Sequence, residues 1–184
     1  MTKQRLISKE GTVLAVIDVQ EKLFPHMADK EEALKNMERM IRFAEIMHIP
    51  ILLTEQYPKG LGPTIPEIKT LIPQVQPIEK VEFSCFGSEK FRDALKELGA
   101  ATLILIGIEA HICVSQTTLE GLDSGYRICV VSDAVASRKI DDKAVSLERM
   151  RQNGATIAST EMLIYELLKK AGTPEFKETL KLIK

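Results

Sequence analysis

Apolar residues fall along this chain in two alternating patterns. Continuous β-branched runs occur at Thr12–Ile17 (TVLAVI), Pro50–Thr54 (PILLT), Ala101–Gly107 (ATLILIG) and Tyr126–Ser132 (YRICVVS), as in strands buried on both faces. Two fainter strands are predicted at Val75–Val81, weakened by Pro73 and Pro77, and at Ala155–Ala158. Between the runs, apolar positions recur at helical spacing. Glu31–Met47 sets Leu34, Met37, Ile41, Ala44 and Ile46 on one stripe, and Ser88–Leu98 reads as a helix capped by Ser88 and stopped by Gly99. Further helices are predicted at Cys113–Ser124, Asp141–Asn153 and Thr160–Lys170, with a polar tail from Pro174. This alternation predicts an α/β fold. The economical form is a three-layer α/β/α sandwich, Rossmann-like, whose doubly wound parallel sheet has about six strands in the order 3-2-1-4-5-6.

One long irregular stretch, Glu55–Pro63 (EQYPKGLGP), separates a strand from a short helix near Ile65–Leu71. Loops of this length in small domains are often functional, so it is a candidate pocket wall or lid.

A length of 184 residues suits one domain, residues 1–184, and no linker or repeat suggests a second. Hydrophobic residues make up 45% and charged residues 28%, which excludes disorder and fibrous classes. With 25 Lys+Arg against 26 Asp+Glu and no basic stripe, the electrostatic drive for nucleic-acid binding is missing. Cys85, Cys113 and Cys129 are an odd, widely spaced set, which points away from a disulfide framework and towards a reducing compartment. Met1–Gly11 is polar and basic with no apolar stretch behind it, and no run is long enough to span a membrane. A cytoplasmic protein is expected.

In an open parallel sheet, ligands bind beyond the carboxyl ends of the strands, where neighbouring connections diverge. Three reactive side chains stand there: Asp18 after the first strand, Lys80 ending the third, and Cys113 in the turn after the fourth. Each has a plainer reading. Asp18 could cap a helix beginning at Gln20, Lys80 could be a solvated surface lysine, and Cys113 could be a small buried residue at a helix start. The chemical reading of Cys113 is a nucleophile, because a helix N-terminus stabilises both a thiolate and an oxyanion. Cys129 reads as core, while Cys85, in VEFSCFG, stays open between core and pocket. His26, His48 and His111 are too scattered for a metal motif and read as surface or structural, although His111 lies two residues before Cys113. No GxGxxG or GxxxxGK[ST] loop follows the first strand, which argues against a dinucleotide oxidoreductase.

The blocks VLAVIDVQEKLF, IEKVEFSCF and GIEAHICVSQTTLEGLDSGYRICVVSDAVASR resemble the three signature blocks of the isochorismatase-like cysteine hydrolases. The resemblance runs from Thr12 to about Leu168, and LTEQYPKGLGPTIPE and GIEAHIC resemble the subgroup of isochorismatase domain-containing proteins. It implies that Asp18, Lys80 and Cys113 form the family's catalytic triad and that Ile108–Glu109 is its non-proline cis peptide. It also implies that the N–H groups of Glu109 and Cys113 form the oxyanion hole. The implied chemistry is acyl transfer, with Cys113 as nucleophile, Asp18 as base and Lys80 as charge partner. Complete ionisation of a free thiol gains only about 2 kcal/mol at neutral pH, whereas one oxyanion donor can contribute about 3 to 4 kcal/mol.

Nicotinamidases of the superfamily carry a metal site in the second loop, but that region here has no histidine, so no catalytic metal and no cofactor is expected. Retention of Cys113 implies a small amide, ester or related acyl-like substrate rather than a vinyl ether. By position, Phe24, Gln56, Tyr57, Phe83 and His111 are the expected pocket neighbours. Family resemblance also implies a homo-oligomer, dimer or tetramer, using the Met-rich helix Glu31–Met47 or the helix after Cys113. A reading of a different class is an idle family member serving as a ligand-binding or oligomeric scaffold.

Overall fold

Alternation of side chains along each buried strand feeds two separate cores. The structure, a computed structural model, describes residues 6–183. Along the chain run β1 (Thr12–Ile17), α1 (Lys30–Ile46), β2 (Ile51–Gln56), α2 (Pro58–Leu61), α3 (Pro66–Lys69), β3 (Ile78–Lys80) and α4 (Glu89–Glu97). They are followed by β4 (Thr102–Ile108), α5 (Ser115–Asp123), β5 (Arg127–Ala136), α6 (Ile140–Gln152), β6 (Thr156–Ala158), α7 (Thr160–Leu168) and α8 (Pro174–Ile183). All six strands are parallel, in the order β3-β2-β1-β4-β5-β6. Leu14, Val16, Ile104 and Ile106 face one core with Met37 and Ile41 of α1 and Leu163 and Leu167 of α7. Their neighbours Val13, Ala15, Leu103 and Leu105 face the other core with Phe91 and Leu95 of α4 and Met150 of α6.

This winding creates the crevice. After β1 the chain passes to the α1 face, whereas after β4 it enters α5 on the opposite face, so the connections diverge between adjacent central strands. Close pairing of β1 with β4 requires Gly107. Its φ is +118°, and a Cβ there would lie 2.2 Å from the Ile17 carbonyl oxygen.

Several boundaries differ from the sequence reading. β2 continues to Gln56 and β5 to Ala136, while β3 shrinks to Ile78–Lys80. The parallel register of β4 with β5 shifts between Leu105 and Gly107, which lets β5 run on through a bulge. Ser88 stands at the start of α4, but its side chain makes no capping bond. The expected polar tail is the amphipathic helix α8, whose Phe176, Leu182 and Ile183 pack on the α1 core. α1 buries its methionines Met37 and Met40 within its own core, so that face is not free for another subunit. Residues 1–5, part of the polar N-terminal segment, lie outside the described residues. Among the described residues, no helix is long and apolar enough to cross a membrane.

Candidate active site

Asp18 follows directly on β1, and its backbone turns sharply there with φ +52°. For a residue with a Cβ this left-handed conformation costs about 1 to 3 kcal/mol, so the surroundings must hold it. They do so from β2. The Asp18 N–H donates to the Thr54 carbonyl at 3.2 Å, and Thr54 Oγ1 donates to Asp18 Oδ1 at 2.7 Å. No helix begins at Gln20, so Asp18 caps none; a short 3-10 turn, Phe24–His26, comes later. Lys80, the last residue of β3, is buried rather than solvated. Its Nζ donates to Asp18 Oδ2 at 2.6 Å and to the carbonyls of Glu82 and Phe83 at 3.1 Å each, using all three ammonium hydrogens.

Cys113 sits in a widened helical turn, Ala110–Val114, that runs into α5. The peptide Ile108–Glu109 preceding it is cis. The bond from the Val114 N–H to the Glu109 carbonyl spans five residues, so Cys113, the fourth residue of the turn, belongs to the N-terminal group of donors ahead of it. Its thiol lies near enough to Asp18 and Lys80 for both charges to act on it. The three chemically promising side chains therefore gather at the sheet's switch point, with Asp18 and Lys80 in direct contact.

The electrostatics differ from the thiolate that a helix N-terminus alone suggests. Burial, then the negative charge of Asp18, push the Cys113 thiol far up against the opposing pull of Lys80. The resting sulfur is protonated. For Lys80, burial acts to lower the ammonium, but Asp18 and the two neighbouring thiol groups outweigh it and raise the group. Among the described residues no three His, Cys, Asp or Glu side chains gather closely enough to hold a metal ion.

Of the expected pocket residues, Gln56, Tyr57 and Phe83 flank Lys80: Gln56 pairs with it across β2 and β3, the Tyr57 N–H donates to its carbonyl at 2.7 Å, and the Phe83 carbonyl accepts from its ammonium. Phe24 packs partly against the α1 core, and Gln56 Nε2 donates to the Val81 carbonyl at 3.0 Å. Tyr57 is 52% exposed, with its ring beside Gly60, and Phe83 is 53% exposed. His111 Nδ1 lies 2.9 Å from Ser137 Oγ. A cleft of about 540 Å³ is lined by Leu23, His26, Met27, Glu109 and Arg138, and reaches the nucleophile's turn only through Glu109. There Arg138 Nε bonds Glu109 Oε2 at 2.8 Å, which anchors the residue just before the nucleophile's turn. Cys85 has no exposed surface, and Cys129 lies buried in β5.

The stretch Glu55–Pro63 is tied down by buried side chains. Gln20 Nε2 donates to the carbonyls of Gln56 and Gly62 at 2.9 and 2.7 Å, and Gln20 Oε1 accepts from the Gln56 N–H at 2.8 Å. Glu55 Oε1 takes the Thr64 N–H and hydroxyl, both at 2.7 Å. Sequence reasoning missed Thr54, Gln20 and Arg138. Thr54 left one signal: it ends an apolar run as Asp18 does.

Sheet order and crevice define a doubly wound, Rossmann-like α/β protein. The chain belongs to the isochorismatase family: the family model for the isochorismatase domain matches residues 12–162. Isochorismatase domain-containing protein 2A of Mus musculus is 40% identical over 179 residues, which is 97% of this chain and 85% of that protein. The secreted isochorismatase effector Isc1 of Phytophthora sojae (strain P6497) is 38% identical over 95% of this chain and 85% of its own length. Among solved structures, the MAR1 ribonuclease from Caenorhabditis elegans aligns with a TM-score of 0.89 at 39% identity, over 97% of this chain and 92% of that one. The fold is thus that of isochorismatase-family hydrolases.

Proposed function

We propose that this chain is a single-domain, metal-independent cysteine hydrolase acting on a small amide, ester or related acyl-like substrate. The observation that carries the reading is the buried Asp18 carboxylate bonded to the Lys80 ammonium at 2.6 Å, with the Cys113 thiol close enough to feel both charges. Because the thiol is protonated at rest, attack and proton transfer go together. As the Cys113 Sγ–carbon bond forms, the thiol proton passes to Asp18 and the carbonyl π pair moves onto oxygen. The N–H groups of Glu109 and Cys113 stabilise that oxyanion. Collapse breaks the bond to the leaving amine or alcohol, which takes the proton from Asp18 and leaves a thioester. Water then adds to the thioester, giving its proton to Asp18, and expulsion of sulfur returns the proton to Cys113 with release of the acid. Lys80 holds the Asp18 carboxylate in place through Oδ2 in both half-reactions.

The reading includes a homo-oligomer, dimer or tetramer, supported by Ile140 and Val145, which stand exposed on α6, and a cytoplasmic setting, supported by three unpaired thiols. A second substrate class, RNA, is favoured by the activity named for the Caenorhabditis elegans relative, against which stands the balanced charge of the chain. The test is a panel of small amides, esters and a single-stranded RNA, assayed with the parent protein and with Cys113→Ala. Turnover of an acyl compound with a mass shift on Cys113, both lost in Cys113→Ala, is the expected result. Full turnover by Cys113→Ala sinks the cysteine mechanism, RNA cleavage alone replaces the substrate class, and a thiol as inert as Cys129 favours the idle scaffold.

A further inference from the structure

We propose that Thr54 is a positioning residue of this site, gripping Asp18 through both backbone and hydroxyl so that the carboxylate stays aimed at Cys113, with Cys85 setting the direction of that hydroxyl. This inference rests on the reading of Asp18 as the base. Parallel pairing places Thr54 beside Ile17, so its carbonyl accepts the Asp18 N–H at 3.2 Å while its Oγ1 lies 2.7 Å from Oδ1. Thr54 is fully buried within β2, a place where a hydroxyl is costly unless it is bonded. The single hydroxyl hydrogen of Thr54 is spent on Asp18 Oδ1. The Thr54 oxygen is then left to accept, and Cys85 Sγ, 3.9 Å away, supplies the hydrogen.

Cys85 suits that task. It has no exposed surface, and Thr117 Oγ1 accepts its backbone N–H at 2.9 Å. Burial and the nearby Asp18 push its thiol up to about 11, so it remains a donor at neutral pH. The result is a one-way chain from the Cys85 S–H to the Thr54 O–H to Asp18 Oδ1, while Lys80 holds Oδ2. Rotating the carboxylate breaks bonds on both oxygens at once.

The test needs no substrate. Alkylation of Cys113 by iodoacetamide is followed from pH 5 to 9 by peptide mass in the full chain, comparing the parent with Thr54→Val, Thr54→Ser, Cys85→Ala and Asp18→Asn. Thr54→Val is expected to slow labelling about tenfold at pH 7, while Thr54→Ser stays within about twofold of the parent. A Thr54→Val protein that labels at the parental rate, or a Thr54→Ser protein as slow as Thr54→Val, overturns the role of Thr54. Should Thr54→Val fail to fold, Cys85→Ala removes the inner donor alone; a slowing of about threefold is expected, and an unchanged rate overturns the chain. Asp18→Asn separates the two levels. If it labels like the parent, the base reading itself fails; if it is slow while Thr54→Val is fast, only the proposal about Thr54 fails.

Discussion

Lys80 Nζ lies 2.6 Å from Asp18 Oδ2 although the two residues are 62 positions apart, and neither side chain has exposed surface. A pair so placed is weak evidence for stability, because two desolvation costs offset the attraction. Its value here is positional: it joins the ends of β1 and β3, two strands separated by β2, under the mouth of the crevice.

Removing only Lys80 leaves a buried carboxylate without its cation. Lys80→Met is therefore expected to lose about 3 to 5 kcal/mol of stability, and Asp18→Asn/Lys80→Met to recover much of that loss while remaining inactive. Urea denaturation of the three proteins measures this. A double variant no more stable than Lys80→Met would mean that the pair itself, rather than the stranded charge, holds the fold.

Cys113, at 6% exposure, is the only one of the three cysteines with measurable surface; Cys85 and Cys129 have none. Under native conditions at pH 7.5, iodoacetamide is expected to label Cys113 at least about tenfold faster than the other two, with all three equal in denaturant. Peptide mass spectrometry reads the sites. Preferential labelling of Cys129 would contradict the packing of β5.

Gly107 carries the contact between β1 and β4 that brings Asp18 towards Cys113. An added methyl meets the Ile17 backbone at 2.2 Å in a strand with nowhere to retreat, and it forces a φ of +118° on a residue with a Cβ. Gly107→Ala is expected to destabilise by about 3 kcal/mol or more and to lower Cys113 reactivity together with it. Gly99→Ala is the comparison: its φ is also positive, but a Cβ there meets nothing within 4 Å. Thermal melts should rank Gly99→Ala well above Gly107→Ala.

Much of this architecture was legible because buried parallel strands write themselves as apolar runs, and those runs end where chemistry begins. Thr12–Ile17 followed by Asp18, and Ala101–Gly107 shortly before Cys113, placed two reactive groups at strand ends, and the winding rule put their strands side by side. What stayed hidden depended on contacts between distant residues. Thr54 and Gln20 act through bonds spanning 36 residues, which leave no local period. The apolar face of α8 is thin, with Phe176, Leu182 and Ile183 scattered among lysines and glutamates, so it passed for a tail. At Cys113 the helix N-terminus could be read, but burial beside Asp18, which reverses its effect on the thiol, could not.

All three cysteines are buried with thiols raised above the ordinary value of 9.0: Cys85 to about 11, Cys129 to about 12, and Cys113 further still. Burial is the first cause in each case, with Asp18 adding to it at Cys85 and Cys113 and Glu166 at Cys129. The sign follows from proton counts. Below the unfolded value both states hold the proton, and stability does not vary with these groups. From about pH 9 to 11 the unfolded chain gives up protons that the native chain keeps, so stability falls as pH rises. Each thiol contributes a slope of about 1.4 kcal/mol per pH unit, and the three together about 4 kcal/mol per unit. Lys80, also raised, adds a further loss once the unfolded lysine begins to deprotonate near 10.5. Urea midpoints measured from pH 8 to 11 are expected to be flat to about pH 8.5 and then to fall. In Cys129→Val the fall should be shallower by about one third of the thiol contribution. An identical slope in Cys129→Val and the parent would show that its thiol titrates alike in the folded and unfolded chains.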